Sequence, residues 1–217
     1  MLEVRADSES VLEKQLSSLL STINASGLSY ANPILKGTDI NKAVELRKAG
    51  LGLLGNMVGD RKAVACIEDT AVAVDDLKDF IGEFTEIMKG YGQDAVYYAH
   101  AGAGELHLRP ILNLKKSTDV SLFRSITTDV AKLTKKYRGS FSGEHGDGIV
   151  RAEFIPLMIG DENYELLKRI KTYFDPHNIF NPGKIVDPYP MDESLRYVVD
   201  RKEPEIKTLM DFSDSEG

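Results

Sequence analysis

The sequence predicts an α+β fold, an antiparallel or mixed sheet with helices packed on one face, and three observations carry that expectation. Segments of period 2 and period 3.6 follow one another as strand, helix, strand, helix, hairpin and helix. A hairpin in mid-chain joins neighbouring strands in antiparallel fashion. No strand runs into a G-x-G-x-x-G turn opening a helix, and there is no G-x-x-x-x-G-K-S/T loop, which argues against a doubly wound nucleotide-binding fold.

Leu2 to Arg5 reads as a short strand. Leu12, Leu16, Leu19, Leu20 and Ile23 then recur at helical spacing after the capping candidates Asp7 and Ser8. A strand is expected in Leu28 to Leu35, interrupted by Pro33, before a helix capped by Asp39. On that helix Ile40, Val44, Arg47 and Leu51 share one stripe, so Arg47 is placed among apolar residues, where a guanidinium wants an anionic partner. Ala63 to Ile67 reads as a second strand containing the one cysteine, Cys66, expected to be a buried inert thiol. The strongest helix carries Leu77, Phe80, Ile81, Phe84, Ile87 and Met88 on one face. Ala95 to His100 and Glu105 to Arg109 form the hairpin around Ala101-Gly102-Ala103-Gly104. Phe123, Ile126, Val130 and Leu133 mark a helix between Thr118 and Gly139, and Ile149 to Ile159 is helical. Asp161 caps a last helix through Tyr164, Leu167, Ile170 and Phe174, which Pro176 stops.

A domain over 1–186 is expected, with 187–217 a proline-containing polar linker or tail toward a further domain. Apolar residues at 42% and charged residues at 28% describe a folding, soluble chain rather than a disordered one. The formal charge of −7 disfavours a nucleic-acid face, and the short run Lys132, Lys135, Lys136, Arg138 reads as the basic end of a helix. No apolar run approaches the roughly 20 residues of a membrane span, nor is there a signal peptide, so a cytoplasmic location is expected. A single cysteine excludes an intrachain disulfide or a four-thiolate iron–sulfur cluster within this chain.

Chemistry concentrates in two glycine-punctuated segments. Gly143-Glu144-His145-Gly146-Asp147-Gly148 sets a carboxylate and an imidazole side by side, and His100-Ala101-Gly102-Ala103-Gly104-Glu105-Leu106-His107 lies upstream. If the hairpin closes with His100 opposite Glu105, Tyr98 faces His107 and the two histidines become a diagonal pair on one sheet face, about 7–8 Å apart at Cα. Two imidazoles so placed converge on a divalent ion, and zinc accepts nitrogen and carboxylate ligands, so His100, His107 and Glu144 make a sensible shell. Glu105, on the same face, is a rival ligand. A one-residue slip would turn the imidazoles to opposite faces. His145, with an ordinary pKa of about 6.5, is a candidate general base. His177, in Asp175-Pro176-His177-Asn178, belongs to a turn.

These two motifs, together with Phe174-Asp175-Pro176-His177-Asn178-Ile179-Phe180-Asn181-Pro182-Gly183-Lys184, resemble the C-terminal domain of FAD-linked oxidases and dehydrogenases, the group that contains glycolate oxidase D subunits, D-lactate dehydrogenases and D-2-hydroxyglutarate dehydrogenases. The resemblance covers about residues 1 to 186. It implies a ferredoxin-like cap domain that closes over the flavin and supplies the substrate and metal pocket, with FAD held mainly by a separate N-terminal domain missing here. It further implies His100, His107 and Glu144 as ligands of a divalent metal, usually zinc, and His145 as catalytic base. Arg47 matches the arginine that pairs with the substrate carboxylate, and Asn181, Gly183 and Lys184 match the segment that reaches the flavin. Where the common hairpin has Asp and Asn, this chain has Ala103 and Glu105. Glu68-Asp69-Thr70-Ala71-Val72 is similar to members fused to a downstream iron–sulfur domain.

By that resemblance the parent enzyme oxidises a D-2-hydroxy acid to a 2-oxo acid with hydride transfer to FAD, and the isolated chain is inactive. Two other readings stay open. A self-contained zinc-dependent hydrolase on His100, His107 and Glu144 would cleave esters without flavin, and a non-catalytic assembly module would bind no divalent ion.

Overall fold

The structure, a computed structural model, describes residues 1–202 and 209–211, apart from the side chain of Leu51. The chain divides into two compact units, Met1–Leu53 and Leu54–Gly217.

In the first unit α1 spans Glu9–Ser26, with Ser8 at its N-cap and Gly27 closing it at φ 64°, a left-handed conformation that glycine takes without strain. The second helix, α2, spans Asp39–Gly55, so Asp39 opens the helix instead of capping it. The strands expected at Leu2 to Arg5 and Leu28 to Leu35 are absent: both stretches are irregular. Leu28 and Tyr30 are fully exposed, so no burial repays an extended chain there. Local side-chain bonds shape the second stretch instead, from the Ser29 hydroxyl to Asn32 Oδ1 at 2.6 Å and from Asn32 Nδ2 to Asn24 Oδ1 at 2.9 Å. On α2, Ile40 and Arg47 of the expected stripe are exposed and Val44 is partly buried.

The second unit is α+β as expected. Its strands are β1 (Lys62–Ala63), β2 (Ile67–Ala71), β3 (Ala95–His100) and β4 (Glu105–Leu112), all paired antiparallel with β4 at the centre. β1 and β2 follow each other along one edge of β4, and β3 lies along the other. Ala63 to Ile67 was expected as one strand, but Ala65-Cys66 turns between two. Pro110 explains the break. Its carbonyl accepts from Val64 N at 2.8 Å, yet it has no N–H to return, so the ladder lapses there and resumes at Ile67 opposite Leu108. The turn tucks Cys66 into the core, where burial pushes the thiol up to about 12 and leaves it unreactive at neutral pH.

The strand faces divide the labour. Leu106, Leu108 and Leu112 of β4 join Phe80, Phe84 and Met88 of α3 (Leu77–Gly90) and Phe123, Ile126 and Val130 of α4 (Ser117–Lys136) in one buried cluster. Glu105, His107 and Arg109 alternate with them and occupy the opposite face. Beyond the site loop come α5 (Gly148–Arg151), a 3-10 turn at 152–154, α6 (Ile155–Ile159) and α7 (Asp161–Phe174). The stretch from Ile149 to Ile159 is helical as expected, passing through the 3-10 turn where Pro156 offers no N–H to the carbonyl of Ala152. Gly160, not Asp161, holds the cap position of α7, and Asp175-Pro176 end that helix as expected.

Described residues between 191 and 200 make contacts with α4 and the core. Met191 is buried in the core, Asp192 pairs with Arg124 at 2.5 Å, and Asp200 Oδ1 accepts from Ser117 N at 3.0 Å. No helix among the described residues is long and apolar enough to cross a membrane. Met191→Ala is expected to lower stability by about 2–5 kcal/mol in urea unfolding, and the exposed Tyr173→Ala by less than about 0.5 kcal/mol.

Candidate metal and active site

The hairpin closes in the register that the histidine spacing requires: His100 stands opposite Glu105 and Tyr98 opposite His107. A 3-10 turn over Ala101–Ala103 joins the strands, and Gly104 ends it at φ 77°. A side chain there would lie 2.0 Å from the Val72 carbonyl oxygen, so glycine alone lets the turn approach β2. The imidazoles of His100 and His107 meet edge to face, their centroids 5.3 Å apart.

Glu144 arrives from the loop before α5. Its Oε1 lies 3.4 Å from His107 Nε2 and 4.0 Å from His100 Nε2, and one ligand atom from each of the three residues falls within 4.8 Å of the others. His107 is nearly inaccessible, whereas His100 and Glu144 are about half exposed, so the triad has a buried root and an open mouth. The Glu68 carbonyl oxygen sits 2.6 Å from His107 Nδ1. A carbonyl only accepts, so Nδ1 carries the hydrogen and the Nε2 lone pair is aimed at Glu144. A lone pair and a carboxylate facing each other at 3.4 Å repel unless a proton or a cation lies between them. The donor set of two imidazoles and one carboxylate therefore fits a divalent ion such as zinc.

His145 stacks on His107, with ring planes 11° apart and centroids 5.4 Å apart. Its Nε2 is 3.2 Å from Glu144 Oε1, while Nδ1 faces Asp69 Oδ1 at 3.6 Å and Glu68 Oε1 at 3.8 Å. Carboxylate oxygens therefore flank both ring nitrogens, the nearest of them, Glu144 Oε1, standing at Nε2.

Sequence reasoning gave Glu68 and Asp69 no role in the site. Asp69 is fully buried and accepts from Ser142 Oγ, Glu144 N, His145 N and Arg151 Nη2. Burial alone would raise its carboxyl, but the Ser142 hydroxyl, the two amides and then Arg151 outweigh that and hold it below the ordinary value. Glu68 pairs with Arg109 and accepts from Tyr98 Oη at 3.4 Å, and Arg109 lies over the Tyr98 ring at 5.7 Å. The available signal was two adjacent acids inside a strand flanked by Ile67 and Ala71, where charge is rare unless partnered.

Glu105, the rival ligand, lies outside the triad's shared sphere among the described residues. It packs beneath the site loop, so close that a side chain at Gly143 would lie 1.9 Å from its Oε2. Burial first, and then the charge of Asp69, push its carboxyl up to about 7.

The other expected site residues belong to other elements of the chain. Arg47 belongs to α2, in the first unit. Asn181 and Gly183 adopt φ of 49° and 70° in the turn after α7, and a side chain at Gly183 would lie 2.2 Å from the Tyr189 ring. Lys184 stands over that same ring at 5.7 Å. Asp175 organises the preceding turn, accepting from Ile179 N and Phe180 N, and His177 is exposed within it.

Residues 1–185 match the family of FAD linked oxidases, C-terminal domain. The chain belongs to this family. Its relatives include a D-2-hydroxyglutarate dehydrogenase of Pseudomonas putida, 42% identical over 156 residues that make up 72% of this chain and 15% of that protein. Another D-2-hydroxyglutarate dehydrogenase, from Escherichia coli, is 33% identical over 204 residues, or 91% of this chain and 20% of that protein. A D-lactate dehydrogenase of Archaeoglobus fulgidus is 33% identical over 128 residues, 59% of this chain and 28% of that protein. This FAD-linked oxidase domain thus spans a fifth or less of the length of the first two relatives.

Glu105 gives the domain a pH signature. An acid raised from about 4.5 to about 7 on folding holds more protons in the folded state between those values, so stability falls as pH rises through that window. Urea unfolding between pH 4.5 and 8 is expected to show that decline and to show a flatter profile in Glu105→Gln.

Proposed function

We propose that this chain is the substrate- and metal-binding cap of a flavin-dependent dehydrogenase that oxidises a D-2-hydroxy acid to a 2-oxo acid. The observation that carries this reading is the convergence of His107 Nε2, His100 Nε2 and Glu144 Oε1 beside the imidazole of His145, in a member of the FAD-linked oxidase family. His100, His107 and Glu144 hold a divalent cation, zinc being the ion whose preference for nitrogen and carboxylate donors matches them. When bound, the cation lowers the pKa of the substrate hydroxyl and the flavin provides the two-electron acceptor.

His145 accepts the hydroxyl proton, and the carboxylates of Asp69, Glu68 and Glu144 around its ring stabilise the imidazolium that results. The half-exposed mouth formed by His100, Glu144 and His145 admits a small polar acid. Arg47 is the proposed partner of the substrate carboxylate, where a planar guanidinium makes two parallel bonds. Asn181, Gly183 and Lys184 are the proposed approach to the flavin, which another domain mainly holds. A downstream iron–sulfur domain is a proposed partner, and the proposed setting is cytoplasmic. Two relatives named D-2-hydroxyglutarate dehydrogenase make that acid the first to assay.

Cobalt titration followed by visible absorption tests the site. One Co2+ per chain is expected, with binding lost in His107→Ala, and a wild-type chain that takes up no divalent ion overturns the reading. In the flavin-loaded enzyme His145→Ala is expected to lower kcat on D-2-hydroxyglutarate by about 10²–10⁴-fold while cation affinity stays within about threefold.

A further inference from the structure

Glu144 and His145 present a physical difficulty. Both side chains are nearly half exposed, and both sit between glycines, Gly143 and a Gly146 at φ 87°. Burial does not fix them, and glycine backbone has wide conformational freedom. Something other than side-chain burial must aim the carboxylate at His107.

We propose that Asp69 is the positioning residue of the cation site: its buried carboxylate grips the backbone of the 142–145 loop and so aims Glu144 and His145. The inference rests on the cation reading above and deepens it.

The loop runs beside β2 and is fastened to it along its length. Ala71 and Ser140 exchange two backbone bonds, Ala71 N to Ser140 O at 2.9 Å and Ser140 N to Ala71 O at 2.8 Å. Gly143 N donates to the Asp69 carbonyl oxygen at 2.7 Å. The Asp69 side chain then takes over where main-chain pairing stops. Oδ1 accepts from Glu144 N at 3.0 Å and His145 N at 3.1 Å; Oδ2 accepts from Ser142 Oγ at 2.7 Å, His145 N at 2.9 Å and Arg151 Nη2 at 3.3 Å. Arg151 also donates to the Gly146 carbonyl oxygen, so the Asp69–Arg151 pair closes the loop from both ends.

Asp69, Glu144 and His145 could themselves be taken for a second cluster of ligands, since their donor atoms lie within 4.8 Å of one another. The hydrogen bonds decide against that. A carboxylate offers about four lone-pair positions, and Asp69 already accepts five contacts, all from protein hydrogens, which leaves no oxygen for an ion. Asp69 therefore acts through the backbone it holds.

The test uses the full chain, Co2+ as probe, and amide hydrogen exchange of the metal-free protein as a readout that needs no cation. Asp69→Asn keeps the shape but turns an NH2 toward groups that already donate. It is expected to weaken Co2+ binding about 10–100-fold, alter the cobalt absorption bands, and raise exchange at residues 143–146 while α3 and α4 remain protected as in wild type. Glu144→Gln, which removes the ligand itself, is expected to abolish binding without raising exchange. Should Asp69→Asn fail to fold, Ser142→Ala removes one of Asp69's partners and is expected to weaken binding about 2–10-fold, again with exchange raised only in the loop.

Wild-type affinity in both variants, or raised exchange with wild-type affinity, overturns the proposal. A fall in affinity with unchanged loop protection also overturns it, because Asp69 would then be acting as a ligand. If the wild-type chain binds no Co2+, the cation reading fails, and unchanged exchange in Asp69→Asn separately removes the positioning role.

Discussion

The register of one β-hairpin governs everything else in this domain. His100 and His107 share a sheet face because Tyr98 pairs with His107 and His100 with Glu105, and a slip of one residue would send one imidazole into the helices. The register is pinned from several sides. Leu106, Leu108 and Leu112 must point to the core, and Gly104 meets the Val72 carbonyl where no side chain fits. Tyr97 bears edge-on against Phe84 from the α3 layer, and Tyr98 meets His107 at a tilt on the other face.

That alternation separates an apolar face, which supplies stability, from a charged one, which supplies chemistry. Burying Glu105, Asp69, Glu68 and His107 together is costly unless each finds a partner. Asp69 has Arg151 and three loop donors, Glu68 has Arg109 and Tyr98, and His107 has the Glu68 carbonyl. Glu105 keeps one oxygen without a partner among the described residues and responds by holding its proton more tightly.

How much of this was legible in the residues follows from the range of the interactions. The hairpin, its register and the His100–His107–Glu144 cluster could be read because glycines punctuate them and alternation fixes their faces. The core helices α3 and α4 were equally plain, since Phe80, Phe84, Phe123 and Ile126 recur at helical spacing. No strand forms at Leu2 to Arg5 or Leu28 to Leu35, because apolar content alone does not pair a strand and composition does not reveal the partner that pairing needs. The turn at Ala65-Cys66 depended on Pro110, some 45 residues away. Asp69 escaped notice for the same reason: its partners Ser142 to His145 lie more than seventy positions downstream.

The central claim is that the hairpin and the Glu144 loop deliver two imidazoles and a carboxylate to one ion. X-ray absorption fine structure of the chain carrying one equivalent of zinc measures that directly. The account predicts multiple scattering from two imidazoles, with nitrogen and oxygen neighbours at about 2.0–2.2 Å. A shell of oxygen alone, or one imidazole where two are required, would contradict it.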